Sequence, residues 1–131
     1  MRGRPPSVSR DRGEATAQLV ILTPILIVLV FLGIQSAIFF HAANVAAAAA
    51  AQGAAAGSRR GAGSADAIAA AEQTLGDLGV STNAAASAAT DGSFITVTVE
   101  VEISRVLPFF PDTVGRTATE PIERFVAESD R

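Results

Sequence analysis

Apolar and polar positions divide the chain into a long apolar stretch near the amino terminus and a more polar carboxy-terminal part. No Arg, Lys, Asp or Glu occurs between Ala15 and Ser58. Leu, Ile, Val and Phe dominate Ala17 to Phe40, which as a helix would extend about 36 Å at about 1.5 Å per residue. Because the hydrocarbon core of a bilayer is about 30 Å thick, this pattern predicts one transmembrane helix with a small tilt.

An Ala-rich sequence, HAANVAAAAAAQGAAAG, follows the apolar stretch. Ala has the highest helix propensity, so we expect one helix from about residue 15 to 56, extending about 20 Å beyond the bilayer. Its Ala face would let another helix approach closely. A low-complexity linker is the alternative interpretation. Gly53, Gly57 and the following SRRGAGS favour termination of the helix.

A second, shorter helix is predicted over residues 65–78. Ser64 is a candidate N-cap, Asp66 lies where the helix dipole favours an acid, and Gly79 is a candidate stop signal. The spacing predicts one apolar stripe, formed by Ile68, Ala71, Leu75 and Leu78.

Strict alternation predicts a β-strand over residues 94–103, FITVTVEVEI, with Ile and Val on one face and mainly Thr and Glu on the other. The preceding Asp91-Gly92 pair indicates a hairpin turn, which makes residues 83–90 the partner strand. A third strand is expected near 115–125, at a sheet edge because Pro121 lacks a donor N–H. We expect Phe109 and Phe110 to plug one end of the core.

These elements predict an α+β fold. A long amino-terminal transmembrane helix continues into an exported domain that contains a short helix and a three-stranded antiparallel sheet. The Ala-rich end of the long helix or helix 65–78 would cover the Ile/Val face of the sheet. The predicted organisation is a basic leader (1–13), a transmembrane and Ala-rich helix (14–57), a linker (58–63) and a small exported domain (64–131).

The charge distribution predicts the orientation in the membrane. The first 13 residues hold four Arg, at positions 2, 4, 10 and 12, against Asp11, although the whole chain has a net charge of −3. Basic residues beside a membrane helix favour the cytoplasmic side, so we expect a single-pass cell-membrane protein with a cytoplasmic amino terminus and an exported carboxy-terminal part. The acidic distal part lacks the clustered cations that nucleic-acid binding requires.

The sequence offers no catalytic constellation. Cys is absent and His41 is the one histidine, which excludes thiol catalysis and Cys-based zinc sites. Glu100 and Glu102 share a strand face, where they are expected to be solubilising charge. We therefore expect no enzyme activity, no metal, no cofactor and no small-molecule substrate.

The segment DRGEATAQLVILTPILIVLVF, residues 11–31, resembles the amino-terminal segment of TadE-like proteins, which are minor pilins or pseudopilins of tight-adherence, Flp-type pilus and secretion systems. The shared features are a short basic leader ending in Gly13, a small-residue stretch and an apolar helix interrupted by Thr23-Pro24. The Ala-rich sequence and the closing RTATEPIERF are similar to actinobacterial-type members. The resemblance implies a pilin-like fold and a structural role in pilus assembly.

The resemblance also implies partners and a processing site. A prepilin peptidase would cut between Gly13 and Glu14, with the scissile backbone extended before the helix, and the uncut helix would pack with other pilin or tight-adherence secretion subunits in the membrane. Gln18, the fifth residue after the cut, departs from the family, whose members commonly carry Glu there. Gln18 can hydrogen-bond but cannot neutralise a neighbour's charged amino terminus, which favours a minor or accessory subunit.

Two other functions stay open. The chain would be an unprocessed membrane-anchored interaction domain if the leader is retained. It would be a secreted soluble domain if signal peptidase cut in the Ala-rich sequence, although a secretory signal has an apolar region of only about 7–15 residues.

Overall fold

The computed structural model describes the backbone of residues 8–123 and the side chains of residues 13–80 and 82–123. Two helices precede a three-stranded sheet, and a single 3₁₀ turn at Ser81–Asn83 leads into its first strand. The elements are α1 (Val8–Gly57), α2 (Ser64–Asp77), β1 (Ala84–Thr90), β2 (Phe94–Glu102) and β3 (Thr113–Pro121). The predicted α+β arrangement is therefore confirmed.

The element boundaries differ from the prediction mainly at two places. Helix α1 begins at Val8 rather than near residue 15. Its helical backbone includes the charged residues that precede the apolar stretch. Strand β3 covers 113–121 rather than 115–125, since its pairing with β2 starts at Thr113 opposite Glu102 and ends at Pro121 opposite Phe94. Residues 124 and 125 of the predicted strand lie outside the described residues.

The sheet has the order β1-β2-β3 with both pairs antiparallel, so β2 is central and β3 is an edge strand, as Pro121 predicted. The β1–β2 turn is the predicted Asp-Gly turn. The carboxylate Oδ1 of Asp91 accepts hydrogen bonds from the N–H groups of Ser93 and Phe94, both at 2.8 Å. Gly92 has a φ of +85°, a conformation that side-chain-bearing residues rarely adopt.

The core lies between one face of the sheet and both helices. Alternate residues of β2 are buried, as the period of two predicted: Ile95, Val97, Val99 and Val101. Helix α1 packs on β2 and β3, and α2 packs mainly on β1. The distal half of α1 contributes small buried side chains, namely Ala42, Ala43, Val45, Ala46, Ala49, Ala50 and Ala54. The Ala-rich sequence is therefore a core helix, and its interpretation as a linker is wrong.

The Thr- and Glu-bearing face of the sheet is open to solvent. Thr96 pairs with Thr119 and Thr98 with Thr117 through hydroxyl–hydroxyl hydrogen bonds of 3.1 Å each. Such cross-strand pairs stabilise an antiparallel sheet without burying apolar surface. The domain is thus two layers thick, with helices on one side only.

Two glycines of α1 allow the closest approach between the layers. A Cβ atom at Gly53 would lie 2.7 Å from the carbonyl oxygen of Ala67 and 3.0 Å from the Cβ of Ala71. A Cβ atom at Gly57 would collide with the Cδ1 of Ile95 and lie 2.7 Å from the Cβ of Ala67. Both glycines therefore allow close packing of α1 on α2 and the sheet. The helix termination that the sequence indicated for Gly53 does not occur there, because α1 continues to Gly57.

Helix α2 confirms most of the predicted stripe, since Ala71 and Leu75 are buried and Ile68 is half-buried, but Ala67 joins it and Leu78 does not. Ala67, Ala71 and Leu75 are buried, whereas Leu78 is 47% exposed. The predicted N-cap, Ser64, is already the first helical residue; Gly63 is the N-cap, and its N–H donates to the Asp66 carboxylate at 3.0 Å. The close approach of α1 explains the burial of Ala67, because Gly53 and Gly57 leave room there only for a small side chain.

The expected role of Phe109 and Phe110 as a core plug is wrong. Phe109 is 73% exposed and Phe110 is half-buried, with their ring centroids 5.7 Å apart. The connection between β2 and β3 therefore does not bury either ring in the core.

Gly53→Ala is expected to destabilise the domain even though Ala is the better helix former. The added methyl group meets backbone and Cβ atoms that cannot rotate away, and overpacking costs about 1–3 kcal/mol, against about 1 kcal/mol gained in helix propensity. Thermal unfolding of the detergent-solubilised chain, followed by circular dichroism, measures the change.

Gly76→Ala is the matched control, since Gly76 is helical and a Cβ there would meet no atom within 4 Å. We expect it to leave the melting temperature unchanged or to raise it. A Gly53→Ala chain as stable as the Gly76→Ala chain would show that α1 and α2 are not in close contact.

Candidate functional site

The proximal half of α1 is an exposed apolar surface. Its large side chains from Leu19 to Ile34 are between 38% and 67% exposed. Within the described part of the chain, α1 is the one helix that is long and apolar enough to cross a membrane. None of its most apolar segment is buried within the structure. A core helix of a soluble protein would be largely buried. The chain therefore has a single-pass membrane anchor by length, composition and exposure.

Gly13 and Glu14, the predicted cleavage site, both lie on α1 and are exposed. Gly13 lies within the helix, which begins at Val8, so the expected extended backbone before the helix is wrong. A Cβ at Gly13 would meet no atom within 4 Å, so packing does not require glycine there. Residues 1–7 of the leader lie outside the described residues.

Gln18, Thr23 and Pro24 follow on the same helix. Gln18 is exposed and lies one turn after Glu14, so the two side chains share a helix face. Thr23 donates its hydroxyl to the carbonyl oxygen of Leu19 at 2.7 Å, within the turn that Pro24 interrupts. Since Pro24 has no N–H, this turn lacks one backbone hydrogen bond.

Pro24 also lines an open apolar notch of about 290 Å³, together with Ile25, Val28 and Leu29. The structure thus distributes the predicted residues along the proximal half of α1. It brings Gly13, Glu14 and Gln18 onto adjacent turns and does not gather them with Thr23 and Pro24 into one pocket.

Gln35 is a polar residue that the sequence analysis did not single out. It is fully buried, and its Oε1 accepts hydrogen bonds from the N–H groups of Val106 (2.7 Å) and Leu107 (3.3 Å). Its Nε2 is buried without a hydrogen-bond partner. The sequence does signal Gln35 as an amide within an apolar helix. The residues that hydrogen-bond to it, however, lie some 70 positions away in sequence.

The described residues offer little for catalysis. No group of three or more His, Asp or Glu side chains is arranged to hold a metal ion within residues 8–123. Glu100 and Glu102 are both exposed and line a polar hollow of about 190 Å³ beside Thr113. His41 is exposed on α1 and is distant in sequence from α2 and the sheet. The geometry favours packing and membrane anchoring over chemistry.

Comparison with known proteins gives one match. The model of the TadE-like protein family matches residues 13–55, about a third of the chain. No curated protein and no solved structure matches the chain. The match begins at Gly13, covers the whole apolar span and ends two residues before α1 does. The resemblance found in the sequence is thereby confirmed for this segment: residues 13–55 are TadE-like.

Proposed function

We propose that the chain is a membrane-anchored structural subunit, a minor pilin or pseudopilin, of a tight-adherence pilus or secretion machine. The observation that carries this proposal is the TadE-like match over residues 13–55, which coincides with an exposed apolar helix. Pilin-like subunits use such a helix twice, first to hold the protein in the membrane and then to pack with other subunits. Proteins of this kind are structural rather than enzymatic.

The proposal includes removal of the leader by prepilin peptidase after Gly13. Cleavage by a protease requires an extended backbone, whereas the backbone at Gly13 is helical. The junction lies within two turns of the helix start, and glycine weakens a helix by about 0.8–1 kcal/mol relative to alanine. Local unwinding of this terminal segment would expose the bond between Gly13 and Glu14 without disturbing the core, which starts at Gln35.

The proposed orientation has a cytoplasmic amino terminus and an exported domain. It is supported by the basic leader, since Arg and Lys beside a membrane helix favour the cytoplasmic side. No charged side chain of the described sheet is buried, and its open face is rich in Thr and Glu, which is suited to an aqueous compartment.

The mature amino terminus tests the function directly. Intact-mass measurement of the membrane-extracted protein is expected to give a chain that starts at Glu14. A start at Met1 would favour an unprocessed, membrane-anchored interaction domain. A start between residues 43 and 52 would indicate signal-peptidase release, and would also remove part of the core helix.

Gly13→Leu is expected to block processing, since a large side chain replaces the small residue at the scissile bond and strengthens the helix there. The product should retain the leader and migrate more slowly on a denaturing gel. Gly33→Leu is the matched control, because Gly33 lies on the same helix with no atom within 4 Å of its Cβ position. Equal processing of both variants would contradict cleavage after Gly13.

Gln18→Glu is expected to strengthen assembly. A carboxylate can pair with the free amino terminus of a neighbouring processed subunit, and a charged hydrogen bond contributes about 1 kcal/mol more than a neutral one. This difference corresponds to roughly a fivefold increase in association. Chemical cross-linking in membranes measures the oligomer fraction.

The same substitution in a Gly13→Leu chain supplies the control, because the retained leader leaves no free amino group at residue 14. Enhanced cross-linking that persists in this double variant would exclude pairing with a mature amino terminus.

A further inference from the structure

The β2–β3 connection, residues 103–112, forms a closed loop with an apolar tip. The Ile103 N–H donates to the Asp112 carbonyl oxygen at 2.8 Å, and Arg105 and Asp112 form an ion pair of 3.4 Å at the base. Between them the sequence VLPFFP, residues 106–111, has no polar side chain. Val106 is 41% and Phe109 is 73% exposed. We call residues 106–111 the loop tip.

The loop tip also has few free backbone donors. Its two prolines carry no N–H, and the N–H groups of Val106 and Leu107 donate to Gln35 Oε1. The Phe110 N–H donates to the Leu107 carbonyl oxygen at 3.2 Å. Three of the four N–H groups of the loop tip thus have acceptors. Backbone groups without partners are costly in lipid, so this pairing suits a position beside hydrocarbon.

Gln35 fixes the position of this loop along the membrane helix. The helix rise of about 1.5 Å per residue places Gln35 about 32 Å from Glu14, close to the thickness of a bilayer core. If Glu14 lies at one membrane surface, Gln35 lies at the other. The loop tip bonded to Gln35 is then level with the distal end of the apolar stretch, which continues to Phe40.

The direction of β2 leads to the same position. Ile95 and Val97 face Gly57 and Gly53, whereas Val106 contacts Gln35, so β2 runs antiparallel to α1 and descends toward the membrane. Exposed large apolar side chains of α1 run from Leu19 to Ile34, and Phe40 beyond them is also exposed. The loop tip, bonded to Gln35, therefore lies at the level of the distal part of this apolar surface.

We propose that the loop tip inserts into the interfacial region of the distal leaflet, with Phe109 and Val106 in contact with lipid and Gln35 as the positioning residue that holds the loop there. Aromatic side chains favour this level of the bilayer. The Arg105–Asp112 pair stays at the base of the loop, on its polar side. The domain is thus attached to the bilayer at two points, α1 and the loop tip.

The proposal rests on the membrane anchoring in the proposed function, but on neither the orientation nor the processing. Flotation of the full chain with phosphatidylcholine–phosphatidylglycerol vesicles tests anchoring separately. A chain that does not float would contradict the proposed function and this inference together. A chain that floats but fails the depth measurement below would contradict this inference alone.

Depth is measured by tryptophan fluorescence, because the chain contains no Trp and no Tyr. In vesicles containing brominated phosphatidylcholine, the F109W reporter is expected to lose emission roughly twofold or more, since an indole at the interfacial level reaches the bromine atoms. F94W is the matched control. Phe94 is 48% exposed but lies at the far end of β2, so its emission should not change.

Equal quenching of F109W and F94W would overturn the proposal. A blue-shifted F109W emission without quenching would also overturn it, since it would show that protein covers the loop tip instead of lipid.

The role of Gln35 is tested by Gln35→Leu in the F109W chain. Two backbone N–H groups then lose their acceptor, and quenching of F109W is expected to fall toward the F94W value. Ser36→Ala is the control, since the Ser36 hydroxyl donates only to the Leu32 carbonyl oxygen of its own helix at 2.8 Å. Unchanged quenching in the Gln35→Leu chain would show that Gln35 does not position the loop.

Discussion

The close approach of α1 to α2 and the sheet is the contact on which the rest of the structure depends. At Gly53 and Gly57 the distance to α2 and β2 leaves no space for a methyl group, and around them the buried positions of α1 are almost all Ala. Small side chains bring backbones near enough for many weak dispersion contacts. In a domain this small, whose core is limited by its size, dense packing replaces the large aliphatic side chains that a bigger core would use.

This contact also joins the domain to the membrane anchor without a flexible connection. Helix α1 is continuous from Val8 to Gly57, so the segment that crosses the bilayer and the segment that carries the core belong to one rod. The buried side chains of α1 begin at Gln35, and most of its exposed large apolar side chains precede that residue. The height of the sheet above the membrane is therefore fixed by the helix rather than by a linker.

Much of the architecture could be predicted from local patterns. The alternation in β2, the Asp91-Gly92 turn and the apolar run each depend on neighbours in sequence, and all three were predicted correctly. The buried stripe of α2 was predicted at Ala71 and Leu75 but not at Ala67. Ala67 lies against both Gly53 and Gly57, where the close approach of α1 requires a small residue, and its burial depends on that long-range contact rather than on its own apolarity.

The residues of the candidate site could be predicted only where they lie close together in the sequence. Gly13, Glu14 and Gln18 lie on adjacent turns and were found from the junction itself, whereas the partners of Gln35 are Val106 and Leu107, which only the descent of β2 brings close. Phe109 was misplaced for the same reason. The β2–β3 loop closes through its own residues Ile103, Arg105 and Asp112, but its hydrogen bonds to Gln35 of α1 are not indicated by the loop's sequence.

The two amides of the apolar span differ in how their hydrogen bonds are satisfied. Gln35 is buried and its oxygen accepts from the domain of its own chain. Gln18 is exposed on the surface of α1 that would face lipid, and its side chain has no hydrogen-bond partner within residues 13–80 and 82–123. A polar group in hydrocarbon is costly unless it is hydrogen-bonded, so an unpaired Gln18 favours contact with another helix. At the distal end of the span the amide oxygen is satisfied within the chain, whereas at the proximal end the polar side chain favours association with a second subunit.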